Sequence, residues 1–184
     1  MDIKAILKPA IILCIICAII TAALSVTNAV TKDKIAQLEY EAEQATARQI
    51  IDADELTSLK HTVDGKEYTY YKAQSSGETE GYVFKTSAKG YNGEVTVMTG
   101  IDTEGKIILV KVLSAADETP GLGQNITKES FTNAFTGLTG TVGVTDDGSA
   151  DNTIDAVTGA TYSSKAVTNS VNLAVKIFNE IKEG

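Results

Sequence analysis

The sequence predicts an α+β protein: an N-terminal transmembrane helix followed by an antiparallel sheet with helices packed against it. Three observations predict it. Residues 9–26, PAIILCIICAIITAALSV, carry no charge. Residues 93–114 place a DTEG turn between GEVTVMTGI and KIILVKVLS, the pattern of a hairpin. The last segment repeats Val167, Val171, Ala174, Phe178 and Ile181 at spacings of four and three, which makes one continuous helix face.

The apolar run comes first. Uncharged residues extend it to Val30. At a rise of about 1.5 Å per residue it is near the minimum for crossing a hydrocarbon core of about 30 Å. Lys4 and Lys8 precede it, while Lys32, Asp33 and Lys34 follow. Together with the α-amino group, that bias predicts a single pass with the N-terminus in the cytoplasm and the rest outside. The rival reading is a cleavable signal peptide with a small-residue site around residues 23–29. The apolar run is longer than an ordinary signal core, which favours a retained anchor. The domain division that follows is an anchor over 1–30, a helical stalk over 31–60 and a globular domain over 61–184.

Residues 31–53 hold strong helix formers and neither Gly nor Pro, which fits the stalk. The Asp-Gly at 64–65 then signals a hairpin turn. Tyr68, Tyr70, Val83 and Phe84 mark two strands joined by SSGETEG. In the next hairpin the run Ile107, Ile108, Leu109, Val110 and Val112 implies burial on both faces. ADETPGLGQNI is expected to be neither strand nor helix. Residues 127–136 restart a helix with Thr127 as N-cap. Glycine-rich 137–152 reads as strand and turn, and the last helix is expected to begin near Tyr162 or Ser163.

Charge and composition narrow the function. The net charge of the 184 residues is −8. All but one of the 24 acidic residues, against all but two of the 16 basic ones, lie beyond residue 30. Such a domain repels phosphate backbones, so no nucleic-acid partner is expected. Cys14 and Cys17 are the only cysteines, and both fall in the apolar run, where they read as small hydrophobes. The segment beyond them therefore has neither disulfides nor thiol chemistry, and no metal site is expected. His61, the sole histidine, reads as a surface residue.

The chemistry concentrates in DAVTGATYSS, residues 155–164. A helix start offers free N–H groups and the positive end of its dipole, a ready anion site. Gly159 and Ala160 let a phosphate approach the backbone, and Lys165 adds a positive charge. The residues alone leave two readings open, a phosphate cradle and a helix cap with spare hydroxyls. The spacing is not that of a P-loop. No neighbouring histidine could activate a serine nucleophile.

DAVTGAT resembles the flavinylation motif of the FMN-binding domain family: an Asp, two variable residues, Ser or Thr, then Gly-Ala-Thr. A second stretch, GYNGEVTVMTGIDTEGKIILVKVLSAADETPGLG, resembles that family's G-Y-x-G strand pair leading into an E-T-P-G-L-G loop. Two motifs in order behind an N-terminal anchor resemble most the G subunits of Rnf complexes, and more distantly the C subunits of sodium-pumping NADH:quinone reductases. The resemblance implies a covalent FMN joined by a phosphoester to the hydroxyl of Thr161, placed there by a flavin transferase that uses FAD. Asp155 and Thr158 would be recognition elements, with Gly159 and Ala160 giving access. It also implies that the loop residues Glu118, Thr119, Gly121, Leu122 and Gly123 fold against the flavin ring. Relatives often carry a His where this chain has Ala116, so no role carries over at that position.

What the resemblance implies for function is an electron-carrying subunit of an ion-translocating oxidoreductase in a bacterial or archaeal cell membrane. It would relay electrons between ferredoxin and NAD+ with other membrane subunits as partners, and it would have no substrate site of its own. Two alternatives are a stand-alone extracytoplasmic flavoprotein and a cofactor-free membrane-anchored binding module. The coupling ion, Na+ or H+, is not written in these residues.

Overall fold

The computed structural model describes residues 3–145 and 150–183. Residues 146–149, part of the stretch 137–152 expected as strand and turn, lie outside the described residues, as do the side chains of Lys4 and Lys8. The chain divides into two units, Met1–Glu43 and Gln44–Gly184.

The first unit lies on helix α1 (Ile3–Ile50), which runs through Pro9 without a break. Leu7, Ile11, Leu13, Ile16, Ile20 and Leu24 are all exposed, so the helix is apolar around its whole circumference. A helix of that kind suits hydrocarbon rather than water. The stretch Pro9–Ile50 is long and apolar enough to cross a membrane. The Thr27 hydroxyl donates to the Ala23 carbonyl at 3.0 Å and Thr31 to Thr27 at 2.9 Å, so these polar groups are satisfied within the helix. Cys14 and Cys17 are exposed thiols in the same run.

The second unit is an antiparallel five-stranded meander in the order β1 (Glu55–Val63), β2 (Lys66–Ser75), β3 (Glu78–Lys89), β4 (Glu94–Asp102) and β5 (Ile107–Ser114). Asp64 and Gly65, both at positive φ (51° and 77°), close the first hairpin; Ser76 and Gly77 (53° and 85°) close the second. Two consecutive positive φ values match the twist of the flanking strands. The stalk expected to reach residue 60 needs correction here, because the helix ends at Ile50 and Glu55–Val63 pairs with β2 along its whole length. β1 is an edge strand with mostly exposed side chains, so it lacks the apolar alternation that marks the others.

Both faces of the sheet are covered. On one face Phe84, Val95, Val97, Ile101 and Val110 pack with Val167, Val171, Ala174 and Phe178 of the terminal helix α3 (Thr161–Glu183). On the other, Tyr71, Val83 and Met98 pack with Ala47, Ile50 and Ile51. A Cβ at Gly100 would collide with Ile50, so glycine is what allows this approach. β5 is divided as its sequence implies, Ile107 and Val110 to the first cluster and Ile108 and Leu109 to the second.

The connection from β5 back to α3 departs from expectation. Residues 127–136 are not one helix capped by Thr127. A 3-10 turn (Gly123–Thr127), a single α turn α2 (Glu129–Thr132) and another 3-10 turn (Asn133–Phe135) follow one another. Lys128 takes the N-cap position with no side-chain cap, and the Thr127 hydroxyl donates back to the Gln124 carbonyl at 2.8 Å. Short polar side chains that bond locally compete with helix propagation. Phe131 and Phe135 nevertheless reach the core, packed edge to face. Short strands β6 (Val142–Val144) and β7 (Asn152–Ile154) then pair in parallel. His61, on β1, lies 3.2 Å from the Glu180 carboxylate and is half-buried.

Candidate functional site

The stretch 155–164 forms an arch into α3, which begins at Thr161, one residue before the earliest start expected. Ala160 N–H donates to the Val157 carbonyl at 2.8 Å, and Gly159 sits at φ +75°. A turn with positive φ at its third residue requires glycine or asparagine there. A Cβ on Gly159 would also stand 2.9 Å from Leu122 Cδ1, so the position is closed to side chains twice over. The first bond of the helical ladder runs from Ser164 N–H to the Ala160 carbonyl at 2.9 Å. The N–H groups of Thr161, Tyr162 and Ser163 stand ahead of it, at the positive end of a 23-residue helix.

The hydroxyls of this stretch have separate duties. Ser164 is buried and its Oγ accepts from Val157 N–H at 3.0 Å, which clips the arch shut. Ser163 is buried and its hydroxyl donates to the Glu118 carboxylate. Thr158 and Thr161 are left exposed. Structural hydrogen bonds thus account for two of the four.

Glu118 belongs to the E-T-P-G-L-G loop. Within it, Leu122 N–H donates to the Thr119 carbonyl at 3.2 Å across Pro120 and Gly121, with Gly121 at φ +73°. Pro then Gly at the two central positions is the type II arrangement. The Glu118 side chain is 1% exposed and faces the G-Y-N-G turn between β3 and β4. Gly90 N–H donates to the Gly93 carbonyl at 2.7 Å to close that turn, and Asn92 N–H donates to Glu118 Oε1 at 3.2 Å. A Cβ at Gly90 would collide with the carboxylate, and one at Gly123 would crowd it to 2.9 Å. Burial pushes the Glu118 carboxyl up, but the Ser163 hydroxyl and the N–H groups of Asn92, Gly93 and Tyr91 outweigh it and hold the group below the usual carboxyl range.

These elements enclose a cleft of about 380 Å3, within the size range of small-molecule sites. The G-Y-N-G turn contributes Tyr91, the loop Thr119, Leu122 and Gly123, the arch Gly159 and Ala160, and the first helical turn Thr161, Tyr162 and Ser163. Glu118 lies behind the wall rather than in it. Gly121 shapes the loop without lining the cleft, and Lys165 is exposed on α3 outside it. Asp155 and Thr158 line a second groove of about 400 Å3 with Asn125, Lys128, Ser130 and Phe131. The Thr145 hydroxyl donates to Asp155 at 3.2 Å. Sequence reasoning missed Tyr91, Tyr162 and Ser163 as members of the site. Tyr91 lies inside a quoted motif, and the other two follow Thr161 directly, so position alone could have nominated them.

A family model described as the FMN-binding domain matches residues 90–176, and one described as the RnfG N-terminal region matches residues 1–50. The chain is 31% identical to the G subunit of the Na(+)-translocating ferredoxin:NAD(+) oxidoreductase complex of Acetobacterium woodii, over 99% of this chain and 96% of that one. It is 36% identical to the G subunit of the proton-translocating complex of Clostridium ljungdahlii, over 95% and 91%. Among solved structures it is similar to the C subunit of the Na(+)-translocating NADH-quinone reductase of Parabacteroides distasonis. That likeness has a TM-score of 0.54 at 24% identity and covers 68% of this chain and 78% of that one, a similarity of fold. The chain therefore belongs to the family of G subunits of Rnf-type ion-translocating oxidoreductase complexes and carries that family's FMN-binding domain.

Proposed function

We propose that this chain is the flavin-bearing electron carrier of such a complex, with FMN joined through its phosphate to the hydroxyl of Thr161. The observation that carries this reading is the place of Thr161: exposed, on the first turn of α3, and lining the cleft that the two motifs build together. The residues fit a phosphate at that point. The N–H groups of Thr161, Tyr162 and Ser163 precede the helical ladder, and Gly159 and Ala160 leave the backbone open beside them. Bound there, FMN supplies the redox chemistry.

The chain's own residues attach, orient and shield. Attachment by a flavin transferase forms the bond from Thr161 Oγ1 to phosphorus and breaks the pyrophosphate bond of FAD. AMP departs, and the hydroxyl proton passes to the transferase. Leu122, pressed over Gly159, and Thr119 form the wall opposite α3. Glu118 holds that wall in place from behind by its bonds to Ser163 and Asn92. Asp155 and Thr158, which face the second groove, are proposed as contacts for the transferase rather than for the flavin.

In this reading α1 anchors the chain by a single pass with the N-terminus in the cytoplasm. The second unit lies outside, beside other membrane subunits, and relays electrons between the ferredoxin and NAD+ branches. The test is flavin fluorescence on a denaturing gel, from cells co-expressing a flavin transferase, with Thr161→Ala beside the wild type. Wild-type fluorescence that vanishes in the variant is the expected result. A dark band for both proteins would leave the arch as a helix cap and would favour a cofactor-free anchored module.

A further inference from the structure

Exposed apolar side chains on the second unit are concentrated at one place. Among its described residues, Leu59, Tyr91, Leu122 and Tyr162 are the large hydrophobics left open, with Tyr91 at 65% and Tyr162 at 68% exposure. The last three all line the Thr161 cleft. An apolar rim gathered around a cleft marks a binding surface, whereas apolar side chains scattered singly need no explanation.

The two tyrosines are also held as a pair. Their ring centroids are 6.2 Å apart at an interplanar angle of 46°. Tyr91 comes from the turn between β3 and β4 and Tyr162 from the first turn of α3, so local sequence does not bring them together. Glu118 does. Its buried carboxylate accepts from the backbone of the Tyr91 turn and from the hydroxyl of Ser163, the residue after Tyr162. One carboxylate thereby sets the spacing of two rings that it does not itself touch. Polar networks of this kind fix geometry when every member is satisfied.

We propose that Tyr91 and Tyr162 form a paired aromatic platform for a planar ring, held in register by Glu118, and that the ring is the isoalloxazine of the FMN carried on Thr161. This rests on the reading of Thr161 given above. Thr161 immediately precedes Tyr162 and lines the same cleft, so the ribityl chain of a flavin tethered by its phosphate can carry the ring to the platform. Aromatic faces attract one another in offset or tilted geometries, and each tyrosine brings a large contact area at small conformational cost. Tyr91 and Tyr162 are then ring-binding residues, while Glu118 is a positioning residue.

A phenol beside an excited flavin quenches its emission by giving it an electron, which supplies a readout independent of turnover. The experiment uses the full-length protein in detergent from cells co-expressing a flavin transferase. Flavin loading is read by intact mass, and emission is compared before and after denaturation of the same sample. The platform predicts that the native wild type is strongly quenched and that the double variant Tyr91→Phe/Tyr162→Phe raises native emission several-fold at equal loading. That double variant should keep the wild-type visible circular dichroism, because both rings stay and both electron donors go. Glu118→Gln should move emission the same way with both tyrosines present, read without denaturant on protein shown to be folded by far-ultraviolet circular dichroism, so that unfolding is not its source. If the double variant loads less flavin, its emission is compared with wild type per flavin bound. Native emission in Tyr91→Phe/Tyr162→Phe equal to that of a fully loaded wild type would overturn the platform and leave the Thr161 reading standing. Absence of flavin mass from the wild type would overturn both.

Discussion

A carboxylate buried without a cation survives only where hydrogen bonds replace its water. At Glu118 the Ser163 hydroxyl and the N–H groups of Tyr91, Asn92 and Gly93 supply them. The folded state therefore favours the ionised form, and the carboxyl lies lower in the folded chain than in the unfolded one. The sign follows from proton binding: the unfolded state takes up the proton first, so the contribution is complete above the ordinary carboxyl value and is lost as pH falls through the folded one. Glu118→Gln keeps the shape and removes the charge. It is expected to cost about 1–3 kcal/mol near neutral pH and to flatten the loss of stability in acid, measured by urea midpoints at a series of pH values. An unchanged acid limb would refute this account of Glu118. Little of it was legible in sequence. The E-T-P-G-L-G and G-Y-N-G motifs are both visible, but only folding shows that a side chain of one fills the backbone cavity of the other. For the same reason Glu118 is expected from the resemblance to meet the ring, whereas the structure places it behind the cleft wall.

At the scale of elements, legibility follows burial. α3 was written plainly because its apolar stripe must face a core, and Val167, Val171, Ala174 and Phe178 are all buried. Ile181, at the end of the stripe, packs against the same cluster while partly exposed. β4 and β5 were equally clear. β1 was not, since an exposed edge strand needs only backbone pairing and its ELTSLKHTV carries no strong period. The segment 123–135 misled in the other direction. Its helix formers are interrupted by residues that bond their own backbone, and the chain settles into short turns that still seat Ile126, Phe131 and Phe135. α3 supplies one cleft wall at its start and the core at its end, so packing should support the site from a distance. Phe178 meets Tyr82 and Phe84 edge to face, at centroid separations of 5.8 and 6.5 Å. Phe178→Ala is expected to cost about 3–5 kcal/mol through the cavity it leaves, read as a fall in urea midpoint at unchanged slope. A loss well under 1 kcal/mol would mean that α3 is not held by this contact.

At the scale of the molecule, the chain pairs an apolar helix with an acidic unit whose chemistry gathers at one helix start. That unit has no cysteine, and among the described residues no cluster of His, Cys, Asp or Glu could hold a metal. Thr161 stands exposed in the cleft that the two motifs build, and the two family models together span that cleft and the apolar helix. The arch holds four aliphatic hydroxyls within seven residues, two tied into the structure and two left open. The central claim is that one of the open pair, Thr161, carries the flavin and that Thr158 does not. Trypsin releases all four hydroxyls on one peptide, residues 129–165, between Lys128 and Lys165. Tandem mass spectrometry of that peptide, from protein matured with a flavin transferase, tests the claim most directly. The account predicts a mass gain of one FMN less water, confined to fragments that contain Thr161. The same gain on Thr158, Ser163 or Ser164, or an unmodified peptide from protein matured in this way, would contradict it.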